Sequence, residues 1–267
     1  MNARFFIVLP ALMALLLTGC AAMQRAQYHE VPLSEEQALL SRVFRTDVTE
    51  TLRGIALFSL EQPSGGRHSH RLAMAVSHPS DLRLESLPSF GIPAFFLSLS
   101  SGAFKVYVPG NNRFYIGAAT KDNLHSFLNI PLSPEEIPSL LTGTPPIKPS
   151  AEEGQHLGMY RSDRGEYRID LRSRDGALLQ SLRVNNDHDM TGLEVFGEKG
   201  RRRYEASFSR QRCTGTSSYP EHISVKIGEF LPTIFTVDLS DTVVTRGEGP
   251  SFFDLSAPPG VEIIYMD

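Results

Sequence analysis

The stretch LRLESLPSFGIPAFFLSLSSGAFKVYVPGNNRFYIG, Leu82 to Gly117, shows the folding pattern of the chain in miniature. Leu82 and Leu84 alternate with Arg83 and Glu85; Phe104, Val106 and Val108 alternate with Lys105 and Tyr107. A period of two places successive side chains on opposite faces of a strand, so each run is a strand with one apolar and one polar face. Leu87-Pro88-Ser89-Phe90-Gly91-Ile92-Pro93 interrupts the alternation as a loop, and Pro109-Gly110-Asn111-Asn112 interrupts it as a turn. Short alternating strands punctuated by Gly, Pro and Asn describe an antiparallel sheet with one buried face.

The same period extends outward in both directions. Leu72 to Val76 is an apolar run that ends at His78-Pro79-Ser80; Tyr167, Ile169 and Leu171 alternate with Arg168 and Asp170; Ile223, Val225 and Ile227 alternate with Ser224 and Lys226. Roughly ten to twelve strands are expected, too many to lie flat, so the sheet should curl or close. Helical signals are few. Ser34-Glu35-Glu36-Gln37 reads as a capping box opening one helix, and residues 122–128 form a short second one. Ser133-Pro134-Glu135-Glu136 caps a third, with proline at N1 and Gly143 as its stop. Thr144 to Pro149 is extended and proline-rich; because strands of the same character resume after it, it reads as a long loop within one domain. The fold class is therefore mainly β with a few helices, the helical insert lying near residues 121–143.

The amino terminus has its own logic. Arg4 precedes an apolar run from Phe5 to Leu17, followed by Thr18, Gly19 and Cys20. A positive start, an apolar core and small residues form an export leader, and the run is shorter than the ~20 residues a bilayer span needs. The segment LTGC resembles the lipobox of bacterial lipoproteins. That resemblance implies cleavage after residue 19, acylation of Cys20 and a permanent lipid anchor, since two or more acyl chains hold stably. Ala21 rather than Asp follows, which by the family rule implies the outer membrane, periplasmic face. The expected organisation is a leader over 1–19, a lipidated tether over 20–33 and a single domain over 34–267. Net charge is −4, and the densest basic run is Arg201-Arg202-Arg203, too short to suggest nucleic acid. With Cys20 acylated, Cys213 stands without a partner, so no internal disulfide is expected.

The order of elements (an N-terminal helix, strands, two short helices, further strands) resembles the LolA/LolB family of lipoprotein carriers and receptors. The likeness is carried by Leu82 to Gly117 followed by LSPEEIPSLLTG, Leu132 to Gly143, and by the closing FFDLSAPPGVEIIYMD, Phe252 to Asp267, which resembles the last strands of that fold. The chain departs from the pattern in having no tryptophan and a longer, more polar segment at 144–165. The resemblance implies an unclosed antiparallel β-barrel, a half-barrel, with short helices as a lid over an apolar cavity that receives acyl chains. It also implies that the 87–93 loop holds apolar residues against a membrane, here Leu87, Phe90 and Ile92. The other reading of that loop folds all three back onto the core.

Cavity-lining candidates are the inward residues of the alternating strands: Met74, Val76, Leu84, Phe95, Leu97, Phe104, Val106, Ile169 and Val225. A filled core would use the same residues. His68-Ser69-His70 places two imidazoles on one strand face, but no third metal ligand is evident and a solvent-facing pair is the simpler reading. No Gly-x-Ser-x-Gly elbow, HExxH helix or phosphate loop occurs, so neither enzymatic activity nor a cofactor is expected. The leading expectation is an outer-membrane lipoprotein that binds lipid or lipoprotein acyl chains and assists their localisation, together with a periplasmic carrier. The rival is a non-catalytic scaffold of an envelope complex, and a periplasmic hydrolase comes third.

Overall fold

The computed structural model describes residues 27–44, 50–63, 65–150, 153–214 and 217–267. Cys20, the leader and most of the tether lie outside the described residues. Within them, no helix is long and apolar enough to cross a membrane.

One sheet organises everything described. Its amino-terminal part comprises β1 (Tyr28–Glu30), then helix α1 (Leu33–Val43), β2 (Glu50–Glu61), β3 (Arg67–Ser77), β4 (Asp81–Ser86), β5 (Phe96–Ser100), β6 (Ala103–Val108) and β7 (Arg113–Ala118). Helices α2 (Lys121–Leu128) and α3 (Glu136–Thr142) follow. The chain then adds β8 (His156–Ser162), β9 (Tyr167–Arg172), β10 (Leu178–Val184), β11 (Met190–Phe196), β12 (Arg202–Thr214), β13 (Ser217–Ile227) and β14 (Thr233–Arg246). It closes with the single-turn helix α4 (Pro250–Phe253) and β15 (Glu262–Tyr265). The sheet order is β1-β8-β9-β10-β11-β12-β13-β14-β2-β3-β4-β5-β6-β7-β15. Neighbours are antiparallel except β15, which runs parallel to β7. The terminal strands β1 and β15 do not pair with each other, so the sheet is an unclosed half-barrel.

The fifteen strands among the described residues exceed the expected number because several carry no alternation to read. Tyr28–Glu30 falls in the stretch expected as a tether, yet its backbone pairs with β8, Tyr28 opposite Ser162. Phe252 and Phe253 sit in α4 rather than in a strand, with Phe253 fully buried against the outer side of β4 and β5. Helix α1 begins at Leu33 with Pro32 at its N-cap, so Ser34 lies inside the helix.

The helical insert follows its sequence signals more closely, although α3 starts at Glu136, so Pro134 precedes the helix instead of occupying its first position. Thr120 caps α2, its hydroxyl accepting from the Asn123 N–H at 3.2 Å. Glu136 and Ser133 form a reciprocal box: the Ser133 N–H donates to Glu136 Oε2 at 2.7 Å and the Glu136 N–H to Ser133 Oγ at 3.4 Å. Gly143 ends α3 at φ 67°, and a Cβ there would come within 2.7 Å of Pro220. The 144–149 loop is held by buried Gln180, which accepts from the Ile147 N–H and donates to the Ile147 carbonyl.

His78, between β3 and β4, is buried, and its Nδ1 lies 3.3 Å from the Thr144 hydroxyl. Burial first, and Lys148 second, push its pKa down to about 4. An unfolded histidine titrates near ~6.5. Between these values the unfolded chain binds a proton that the folded chain refuses, so stability is full above pH ~6.5 and falls as pH drops toward about 4. With screening allowed for, the loss should reach roughly 2 kcal/mol. Urea titrations at pH 7 and 4.5 should show this loss and His78→Gln should reduce it; an unchanged pH slope in the variant would assign the acid sensitivity to other groups.

Candidate functional site

The concave face of the half-barrel is not uniformly filled. A cavity of about 430 Å³ lies between the strands β14, β2, β3 and β4 and the helical insert. Its floor is built from inward rows that share a register. Phe235 pairs with Leu60 and Val237 with Phe58, while Leu72 faces Ala56 and Met74 faces Leu84. Its roof is Phe127 and Leu128 from α2, Ile130 and Leu132 from the connection, and Ile137, Leu140 and Leu141 from α3. Phe127 is fixed by edge contacts with Phe95, Phe104 and Tyr115. The lining is apolar except at Gln62, His68, His70 and Asn129. His68, His70 and Asn129 are exposed and Gln62 half-buried, so these four mark the opening.

Of the nine strand residues expected to line a cavity, Met74, Leu84 and Phe95 do so. Val76, Leu97, Phe104, Val106, Ile169 and Val225 are all buried at 1% exposure or less and stand outside the lining. They share the inward face, but side chains cover them. Phe104 lies under Phe127, and Val76 lies toward the far end of β3 opposite Leu82. Helix α3, packed on β13 and β3, separates the cavity from the filled trough of β8 to β12 that contains Ile169. Strand alternation reports which face a residue occupies, not what sits above it.

The 87–95 loop projects from the strand end that surrounds the opening. The Leu87 N–H donates to the Arg71 carbonyl at 2.8 Å and the Ser86 N–H to the Phe95 carbonyl at 3.0 Å, which pins the base. Beyond it, Leu87 is 36%, Phe90 94% and Ile92 63% exposed. The sequence reading missed a second apolar tip. In the β13–β14 turn, Phe230 is 94% and Leu231 77% exposed. Ile234 pairs with Glu61, and Glu61 with Arg67, so this turn rises from the same strand end as the 87–95 loop. Three strand intervals separate β14 from β4, roughly 14 Å at the usual spacing. The mouth, with Leu60, Gln62, His68 and His70, lies between the two tips. Exposed Arg71 and Arg201 stand at the same end.

The remaining motifs resolve into structure. His68 and His70 occupy the inward row of β3 at the mouth, and among the described residues no group of three or more potential metal ligands occurs. Asp187 to Asp189 is a hairpin turn whose N–H groups at 187 and 189 donate to Asn185 Oδ1. Cys213 is a free, exposed thiol near the end of β12. In the Arg201-Arg202-Arg203 run, Arg202 pairs with Glu194 and Glu205. Arg203 holds buried Glu136 with both terminal nitrogens, at 2.9 and 3.0 Å. That pair ties the roof helix α3 to β12 and was invisible in the sequence.

No protein-family model matches the sequence, and no curated protein matches it. Solved structures do. A DUF1329 family protein from Desulfovibrio piger superposes with a TM-score of 0.59 at 15% identity, covering 84% of this chain and 97% of that one. A LolA superfamily protein from Nitrosomonas europaea gives 0.54 at 13% identity, covering 82% and 97%. A proposed outer membrane lipoprotein-sorting protein domain from Vibrio parahaemolyticus gives 0.55 at 11% identity, covering 83% and 95%. At these identities the likeness establishes the fold: a LolA/LolB-like open barrel.

Proposed function

We propose that this chain is a lipid-anchored protein of the outer membrane, facing the periplasm, that accepts acyl chains of a lipoprotein or another lipid in its cavity and assists their insertion into the bilayer. Cys20 supplies the anchor, and a periplasmic carrier delivers the cargo. One observation carries this reading: an apolar cavity roofed by helices has its mouth flanked by two exposed apolar loops, the arrangement that transfer between a binding pocket and a membrane requires. The cavity volume falls within the ~300–1,000 Å³ range of small-molecule sites, and the few polar groups cluster at the mouth. The process involves no bond making or breaking. A non-catalytic scaffold is the second reading, favoured by the filled trough over β8 to β12.

Ala56 separates the two. It is 2% exposed on the cavity floor. Ala56→Leu is expected to fill part of the cavity, to weaken binding of a fluorescent fatty acid about tenfold, and to leave stability unchanged or raised by up to ~1 kcal/mol. A filled scaffold core would instead lose ~1–3 kcal/mol from overpacking. Unaltered fatty-acid binding by the variant would remove the cavity from the function.

A further inference from the structure

The polar groups at the cavity mouth share a chemistry. Gln62, His68, His70 and Asn129 interrupt a lining that is otherwise apolar. Each carries an N–H donor beside an acceptor atom, and no Asp or Glu stands among the described lining residues. His68 and His70 project from alternate positions of one strand, in line with Leu72 and Met74 deeper in the same row. Gln62 lies just beyond the end of β2, where Leu60 faces His68. The row thus runs from donors at the surface to hydrocarbon at depth along a single strand face.

The structure assigns this mouth as a headgroup site: we propose that the cavity takes a single-chain amphiphile bearing an anionic oxygen headgroup, carboxylate or phosphate, held by His68 and His70 with Gln62 and Asn129 beside them. This rests on the acyl-chain reading above and narrows it. An ammonium headgroup would find only neutral acceptors here and no carboxylate among the described lining residues to offset its charge, so it is disfavoured. An anion would find donors directly above an apolar shaft, and hydrogen bonds to ionised acceptors are the stronger class. Chain and headgroup are read together because the donors are continuous with the floor of the cavity.

The test compares ligands of one chain length. The mature chain, exported behind a non-lipoprotein leader with Cys20→Ala so that no acyl anchor is added, is loaded with a fluorescent fatty acid. The probe is then displaced at neutral pH by laurate or by the neutral ester monolaurin. Wild-type protein should favour laurate by about tenfold. His68→Leu/His70→Leu should lose that preference by weakening laurate while monolaurin stays within twofold. His68→Gln/His70→Gln keeps an N–H at each position and should retain most of the preference. Both histidines are exposed, so the melting temperature should hold in each variant. Acetate, the headgroup without the chain, should displace nothing. Equal laurate preference in wild type and the leucine variant, equal weakening of both amphiphiles, loss of preference in the glutamine variant, or displacement by acetate would each overturn the headgroup assignment alone. Failure of wild type to release the probe to either amphiphile would overturn the acyl-chain reading and this assignment with it.

Discussion

Replacing Phe90 and Ile92 together by glutamate is expected to abolish association of the anchor-free chain with anionic liposomes while leaving its melting temperature nearly unchanged. Phe90 is 94% and Ile92 63% exposed. Neither contributes much buried area to the fold, and surface changes of this kind usually stay within ~0.5 kcal/mol. Against a bilayer the balance reverses. Moving a large apolar side chain out of water contributes ~1.5–3 kcal/mol, so losing two such contacts and adding two charges should weaken binding by at least ~100-fold. Phe230→Glu with Leu231→Glu should act similarly, since those side chains flank the other side of the mouth at 94% and 77% exposure. Flotation assays on both double variants, alongside thermal melts, check this. A collapsed melting temperature in the first variant would mean that the loop packs on the core. Unaltered flotation in both would mean that this end of the barrel does not meet the membrane.

The sequence makes the strands legible where one face is buried and the other wet. Leu82 and Leu84 against Arg83 and Glu85, or Ile223 and Val225 against Ser224 and Lys226, can be read without coordinates. They lie in β4 and β13 as the period requires. The helical insert was legible because capping is local: Ser133 and Glu136 are three residues apart and bond each other. Strands joined mainly through backbone were not legible from alternation. Tyr28–Glu30 and Glu262–Tyr265 are edge strands of three and four residues with no buried face to impose a pattern. Cavity membership was only partly legible. Met74 and Val76 share one row of β3, yet Met74 lines the void and Val76 is covered, because what lies above each depends on helices distant in sequence. The Phe230 tip did carry a usable signal. Gly228-Glu229-Phe230-Leu231-Pro232 brackets apolar residues with Gly and Pro between two strands, much as the 87–93 loop does.

Breaking the link between roof and wall should have the largest effect on stability. Glu136 opens helix α3, and its carboxylate is only 7% exposed. It accepts two bonds from Arg203 and one from the Ser133 N–H. Arg203→Met would leave that carboxylate buried without its cationic partner. Removing one partner of a buried pair costs ~3–5 kcal/mol, and the partial exposure of Arg203, 34% for its side chain, places the expected loss near the lower end, about 3 kcal/mol. Glu136→Gln added to Arg203→Met removes the stranded charge while keeping an acceptor for Ser133, so the double variant should be more stable than the single one. That inversion is the signature of an unpaired charge rather than of lost packing. Because α3 brings Ile137, Leu140 and Leu141 to the cavity roof, the same single variant should release a bound fluorescent fatty acid faster, while the double variant recovers part of the retention. Urea unfolding and stopped-flow release on the three proteins test both halves. If Arg203→Met stays within ~0.5 kcal/mol of wild type, the level of an ordinary surface change, α3 is held by its apolar face alone and the ion pair contributes nothing to closing the cavity.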